Sequence, residues 1–380
     1  MKQVHGVESW SLEGDAVELS ITKQGGMMAP VRFFPGTDRE VQPYFVSPWQ
    51  DEEHDIAEPV LQTLRGDFFC LPFGENNVYG EETHPVHGET AGSDWAFESH
   101  SEDGPVSSLV LSMEPTVRSG RVEKHVSVVS GQSCVYVQHR LEGFAGPMTL
   151  GHHATLAGPE EPGGMHISTS PTAFGIVSPR AERYTAGREY HSLEPGALFD
   201  SLERVPTVWK GDPFADCTRF PRRYGFVDIV AVAASDRSRP AWTAAVVPSE
   251  GFLWFSLRDP AVQPTTVLWM ENHGRHGEPW NGRTCCIGLE DVCGFLAGGL
   301  APSTEENELT RRGIPTSIEL DPARPTVVNY VQGVALIPHD FGRVADVQLD
   351  GAGLRFVDQS GKTIEMPVNH EFLSSGTLSA

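Results

Sequence analysis

The stretch VSSLVLSMEPTVRSGRVEKHVSVVSGQSCVYVQHRL, residues 106–141, decides the fold. It holds three runs in which apolar and polar residues largely alternate: Val106–Met113, Val122–Val129 and Cys134–Leu141. The pairs Ser119-Gly120 and Ser130-Gly131 separate them. A period of two puts one set of side chains on each face of a strand, and Ser-Gly pairs suit tight turns. The same pattern extends in both directions. Upstream, Ala16–Thr22 meets a Gly25-Gly26 turn and resumes at Pro30–Phe34. Downstream it returns at Ile229–Ala234, Ala241–Val247, Phe252–Leu257, Thr265–Met270, Thr284–Asp291 and Thr326–Val334. It continues at Val344–Leu349, Leu354–Val357 and Thr363–Val368. So many short strands predict an all-β chain, a large antiparallel β-sandwich. Helical periodicity is clear only in Ser303–Arg312, which opens with a Ser/Thr cap and an acidic first turn.

Composition narrows the function. The 380 residues are 39% hydrophobic and 21% charged, which is globular usage and long enough for a large core. The 39 glycines and 29 prolines follow no period. No long linker divides the chain, so one domain over 1–380 is expected, with 346–380 as a C-terminal hairpin extension. The net charge of −23 repels phosphate backbones and anionic lipid heads, so neither nucleic acid nor membrane is an expected partner. The N-terminal residues lack an apolar signal core, and the longest apolar runs are far short of a membrane span. The six cysteines show no CxxC spacing. Free thiols and a cytoplasmic location are the expectation.

Chemistry concentrates in two strands and two loops. In MTLGHHATLA, residues 148–157, Met148, Leu150, His152, Ala154 and Leu156 share an apolar face. His153 therefore turns to the opposite, more open face, beside Gly151. In TCCIGLEDV, residues 284–292, Cys286, Gly288 and Glu290 share one face. A carboxylate after a glycine, in a strand otherwise apolar, is either a structural ion-pair partner or a reactive group. The loops Gly66–Trp95 and Glu271–Arg283 mix Gly, His, Trp and carboxylates. Trp95 and Trp280 offer flat indole faces for a sugar ring, or else plug the loops. Asn272, Asn281 and Arg283 add hydrogen-bonding groups beside Trp280. The spacing of His84, His87 and Glu89 permits a metal, but Pro85 interrupts any helix through them. Neither a metal nor an organic cofactor is expected. No phosphate-binding glycine loop and no nucleophile elbow is present.

In order and spacing these motifs resemble the galactose mutarotase (aldose 1-epimerase) superfamily. The resemblance rests on Ser20–Phe34, on Gly66–Gly74 followed by His87-Gly88 and Trp95, on Val122–Leu141, on Leu150–Leu156 and on Ile287–Glu290. It implies a supersandwich with a sugar across a concave sheet face. It implies Glu290 as general base, His153 as general acid and His87 as a substrate-binding histidine. It also implies a sugar-binding aspartate, for which Asp216, near Asp212, lies in the right region. The family's arginine has no counterpart, because Gly74 is followed by Glu75 and Asn76. The implied activity is cofactor-independent interconversion of sugar anomers. The alternatives are a non-catalytic carbohydrate-binding protein and another sugar isomerase or lyase. The acid and base are expected to face each other across a gap the width of one monosaccharide.

Overall fold

The computed structural model describes residues 1–53, 55–75, 77–179, 188–351 and 353–378. Two large antiparallel sheets stack face to face. One runs Arg219–Phe220, Met165–Thr169, Ala241–Val247, Phe252–Arg258, Thr326–Leu336, Cys134–Glu142, Arg121–Val129, Val106–Met113 and Ala96–Asp103. The other runs Leu198–Phe199, Thr172–Val177, Phe226–Ala234, Thr265–Asn272, Cys285–Cys293, Leu150–Ala157 and Phe69–Cys70. Alternation sorts the side chains as expected from period two. Leu150, Ala154, Leu156, Leu268, Ile287 and Leu289 meet Val135, Val137, Trp254 and Val328 between the sheets. The N-terminal strands Val7–Glu13 and Val17–Thr22 add Leu12, Leu19 and Ile21 to that core. The chain then turns from Val17–Thr22 into Met28–Phe33 at Gly25 and Gly26, as expected, both at positive φ.

The seven-stranded sheet is apolar on its other face too. There Ile229, Val267, Trp269 and Cys286 pack with Trp49, Val60, Leu64, Phe68, Phe73 and Trp280, which come from the long connections. This second face carries the cavity described below. The C-terminal strands Val344–Asp350, Gly353–Asp358 and Thr363–Pro367 form a sheet of their own. It covers the outer face of the nine-stranded sheet through Val347, Leu354 and Phe356 against Tyr136, Ala244 and Phe255. Among the described residues no helix is long and apolar enough to cross a membrane.

One expected element differs. Ser303–Arg312 is not a helix. An α-turn covers Leu300–Thr304 and a 3₁₀ turn covers Thr310–Arg312. Asn307 ends the first and starts the second. Its Oδ1 accepts from the Leu309 and Thr310 amides, and its Nδ2 donates to Pro302 and Glu305 carbonyls and to Thr316 Oγ1. A short amide side chain competes with the helix for its own backbone.

Polar groups also cross the core. Asp291 is fully buried and pairs with Arg258 at 2.5 Å. Its other oxygen accepts from Ser256 at 2.7 Å and Tyr330 at 3.0 Å. This network clamps the strand whose next residue is Glu290. A buried carboxylate that loses its cation leaves an uncompensated charge in low dielectric. Arg258→Met is therefore expected to destabilise the fold by about 3–5 kcal/mol. Urea unfolding checks this, and a loss below about 1 kcal/mol contradicts the clamp.

Candidate functional site

A cavity of about 290 Å³ opens on the second face of the seven-stranded sheet. That is the lower end of the range for small-molecule pockets. Its floor comes from strand register. His153 on Leu150–Ala157 lies directly opposite Glu290 on Cys285–Cys293, which in turn lies opposite Val267. Directly opposed side chains on one face of an antiparallel pair touch. His153 Nε2 stands 3.2 Å from Glu290 Oε1, and both side chains are buried. The expected monosaccharide-wide gap is thus absent. The reason is the register itself, which puts the two groups in contact rather than on facing walls.

The glycines that drew notice in the sequence have distinct jobs. A Cβ on Gly288 would lie 2.3 Å from Glu290 Oε1, so its absence makes room for the carboxylate. A Cβ on Gly151 would lie 2.5 Å from Val292 Cγ1, so this glycine lets the two strands approach. Phe68 stacks on the His153 ring at 4.5 Å and 16°. His153 Nδ1 meets Thr155 Oγ1 at 3.1 Å. The hydroxyl can donate or accept, so it suits either tautomer of the imidazole.

Electrostatics push the pair toward neutrality. Burial raises Glu290 well above the usual carboxylate range, partly offset by the charge of Arg275. Burial also lowers His153 well below 6.5, with His87 and Arg275 adding to the effect. The pair therefore favours one proton, held on the carboxyl. His87 is half-buried at positive φ, with its ring 4.9 Å from that of His153. Its Nδ1 faces the Gly74 amide, and burial lowers it to about 3.

Arg275 crosses the cavity. Its guanidinium lies over Trp269 at 4.9 Å and over Trp280 at 4.8 Å, and its Nε is 3.3 Å from Glu189. Trp280 also meets Trp49 edge-on at 4.9 Å. Trp280 thus lines the cavity while one ring face carries Arg275. Beneath the loop, Glu271 Oε1 accepts from the Gly274 and Arg275 amides at 2.8 and 3.2 Å. Burial raises Glu271 to about 7.

Of the residues singled out in the sequence, Glu290, His153, His87 and Trp280 meet in the cavity. The others do not line it. Trp95 is core, 2% exposed, with its indole N–H on the Thr90 carbonyl. Its stretch turns inward under Gly26, where an added Cβ would strike the indole at 2.8 Å. Asn272 is buried and donates to the Arg222 carbonyl. Asn281 is exposed at a turn of positive φ. Arg283 pairs outward with Glu52. Asp216 caps Thr218 beside a separate small cavity of about 110 Å³. His84 pairs with Glu82, while Glu89 accepts from Thr116 and Val117 amides, so neither joins His87. Glu58, Phe68, Glu75, Glu189, Trp269 and Arg275 line the cavity but escaped the sequence reading. Arg275 had a signal in HGRH, residues 273–276. A Cβ on Gly274 would lie 2.2 Å from the Phe226 backbone, so the glycine docks the loop onto the sheet and fixes the arginine beyond it.

Solved structures share this architecture. A galactose mutarotase-like protein from Clostridium acetobutylicum superposes with TM-score 0.59 at 11% identity, covering 88% of this chain and 98% of that one. A galactose mutarotase related enzyme from Lactobacillus acidophilus gives 0.54 at 13%, covering 90% and 100%. A candidate aldose 1-epimerase from Escherichia coli K12 gives 0.58 at 15%, covering 87% and 100%. The chain has the galactose mutarotase-like fold. No protein-family model and no curated relative matches it in sequence.

Neutral buried histidines make this fold acid-sensitive. A group whose pKa falls on folding contributes stability above its unfolded value, near 6.5, and loses it as pH drops toward its folded value. For His87 that window runs from 6.5 down to about 3. Urea titrations should show stability falling between pH 7.5 and 5, and His87→Asn should remove about 1–2 kcal/mol of that fall. An unchanged slope in the variant contradicts a neutral His87.

Proposed function

We propose that the chain is an aldose 1-epimerase-like isomerase that interconverts the anomers of a monosaccharide bound in this cavity. The observation that carries the reading is the 3.2 Å contact of His153 with Glu290 on the cavity floor. Anomer exchange moves a proton off the anomeric hydroxyl and puts one on the ring oxygen. Both oxygens sit on one carbon, so an acid and a base in contact suit the reaction better than a pair held far apart.

The reacting form is the tautomer of the one-proton pair in which the proton has passed from Glu290 to His153; Glu290, now a carboxylate, takes the hydroxyl proton. His153, protonated at Nε2, gives its proton to the ring oxygen. The C1–O5 bond breaks and C1 becomes a carbonyl. These transfers leave Glu290 protonated and His153 neutral, the charge state that burial favours. Rotation about C1–C2 presents the other carbonyl face. Closure reverses the transfers and yields the other anomer. His87 and Arg275, which line the cavity, supply hydrogen bonds to the sugar hydroxyls. Each positioned acid or base is worth about 10²–10⁴-fold.

Anomer interconversion followed by NMR tests this across a sugar panel. Glu290→Gln and His153→Asn should each lower the acceleration by about 10²-fold or more. Full rates in either variant, or saturable binding with no acceleration, would overturn the assignment, and the second outcome selects a binding protein. The pH profile should be a broad bell. Its acid limb, where His153 gains a second proton, falls well below 6.5, and its alkaline limb, where Glu290 loses its own, falls well above 4.5. Limbs at the ordinary values contradict the neutral pair.

A further inference from the structure

We infer that Cys70 and Gly74 hold His87 in a single tautomer, so that its Nε2–H is a fixed hydrogen-bond donor in the cavity and never an acceptor. This rests on the sugar-site reading above and adds two positioning residues to it. Gly74 grips the histidine twice. Its carbonyl accepts from the His87 amide at 2.8 Å, and its own amide donates to the ring Nδ1 at 3.4 Å. The Cys70 sulfur also stands 3.4 Å from that nitrogen. The backbone brings the two segments this close. Leu71 and Gly88 form a parallel bridge, and a Cβ on Gly88 would lie 2.0 Å from the Leu71 carbonyl oxygen. His87 itself sits at φ 59°, a left-handed conformation that a residue with a side chain adopts only at a cost.

The tautomer follows from the donors. A backbone amide can only donate, so Nδ1 is the acceptor. Burial raises the Cys70 thiol well above its usual range, so Cys70 keeps its S–H and offers a second donor to the same nitrogen. His87 is neutral, because burial lowers it to about 3. A neutral imidazole whose Nδ1 accepts carries its hydrogen on Nε2. The rings of Phe68, Phe73 and His153 surround it, with centroids 5.9, 5.3 and 4.9 Å away, and it lines the cavity. The roles at the floor therefore divide. Glu290 and His153 move protons, whereas His87 donates to an oxygen of the sugar and neither takes nor gives up a proton. A hydroxyl, ring or carbonyl oxygen satisfies that donor, and an ammonium, which has donors only, does not.

Histidine-selective 15N NMR on the full chain tests this with no sugar present, the His87 signals being those lost in His87→Gln. The long-range 1H–15N pattern should show hydrogen on Nε2 and a bare Nδ1, unchanged from pH 8 to pH 5. Hydrogen on Nδ1, an exchanging mixture of tautomers, or protonation of His87 within that range would overturn the inference. Cys70→Ala should move the Nδ1 signal toward that of a free imidazole nitrogen, and Cys70→Ser, which restores a donor, should return it. With the sugar turned over best, Cys70→Ala should raise KM about 3–10-fold and leave kcat within about two-fold, with most of the loss recovered in Cys70→Ser. Identical behaviour of the Ala and Ser variants, or a fall in kcat at constant KM, removes Cys70 from this role. The expected NMR pattern with no turnover of any sugar removes the proposed function and leaves the tautomer assignment standing.

Discussion

One constraint organises the molecule: the register that sets His153 opposite Glu290 on neighbouring antiparallel strands. A shift of one residue in either strand would send one of the two into the core between the sheets and leave the other alone on the cavity floor. The core itself forbids that shift. On the reverse face the same strands carry His152, bonded to Asp67 at 2.9 Å, and Asp291, bonded to Arg258. Each strand thus carries a polar anchor on one face and a group of the cavity floor on the other, one residue apart. The inter-sheet network fixes what the cavity presents.

Burial then sets the chemistry. A carboxyl and an imidazole in contact near a surface would ionise against each other. Here both are desolvated, and desolvation opposes charge on each. The result is a pair in which burial favours the neutral form of each group. Arg275 tempers this by its charge, and its own position depends on Glu271, Gly274 and the two indoles beneath it. The loop that carries Arg275 is therefore as much a part of the floor as the strands are.

Period two was legible in most of the longer strands, though Val7–Glu13, Ala96–Asp103, Met165–Thr169 and Thr172–Val177 went unread. It sorted the two faces and picked His153 and Glu290 from their neighbours, because a strand's faces follow from local sequence alone. Cross-strand register does not, so the distance between the two groups was misjudged. Trp95 and Trp280 look alike in sequence, yet one is core and one lines the cavity, since a loop's path is set by long-range packing. Arg275, Glu58 and Glu75 were missed for the same reason: they come from three separate connections that only the folded chain brings together. The run Ser303–Arg312 carried real helix signals, and one asparagine side chain outweighed them.

The claim most exposed to measurement is that Glu290 keeps its proton beside a neutral His153 at neutral pH. Infrared difference spectra between the wild-type protein and Glu290→Gln isolate that carboxyl. At pH 7 the account requires a protonated-acid carbonyl band that persists well above pH 4.5 and vanishes in the variant. An ionised carboxylate at pH 7, protonating only near 4.5, would contradict it.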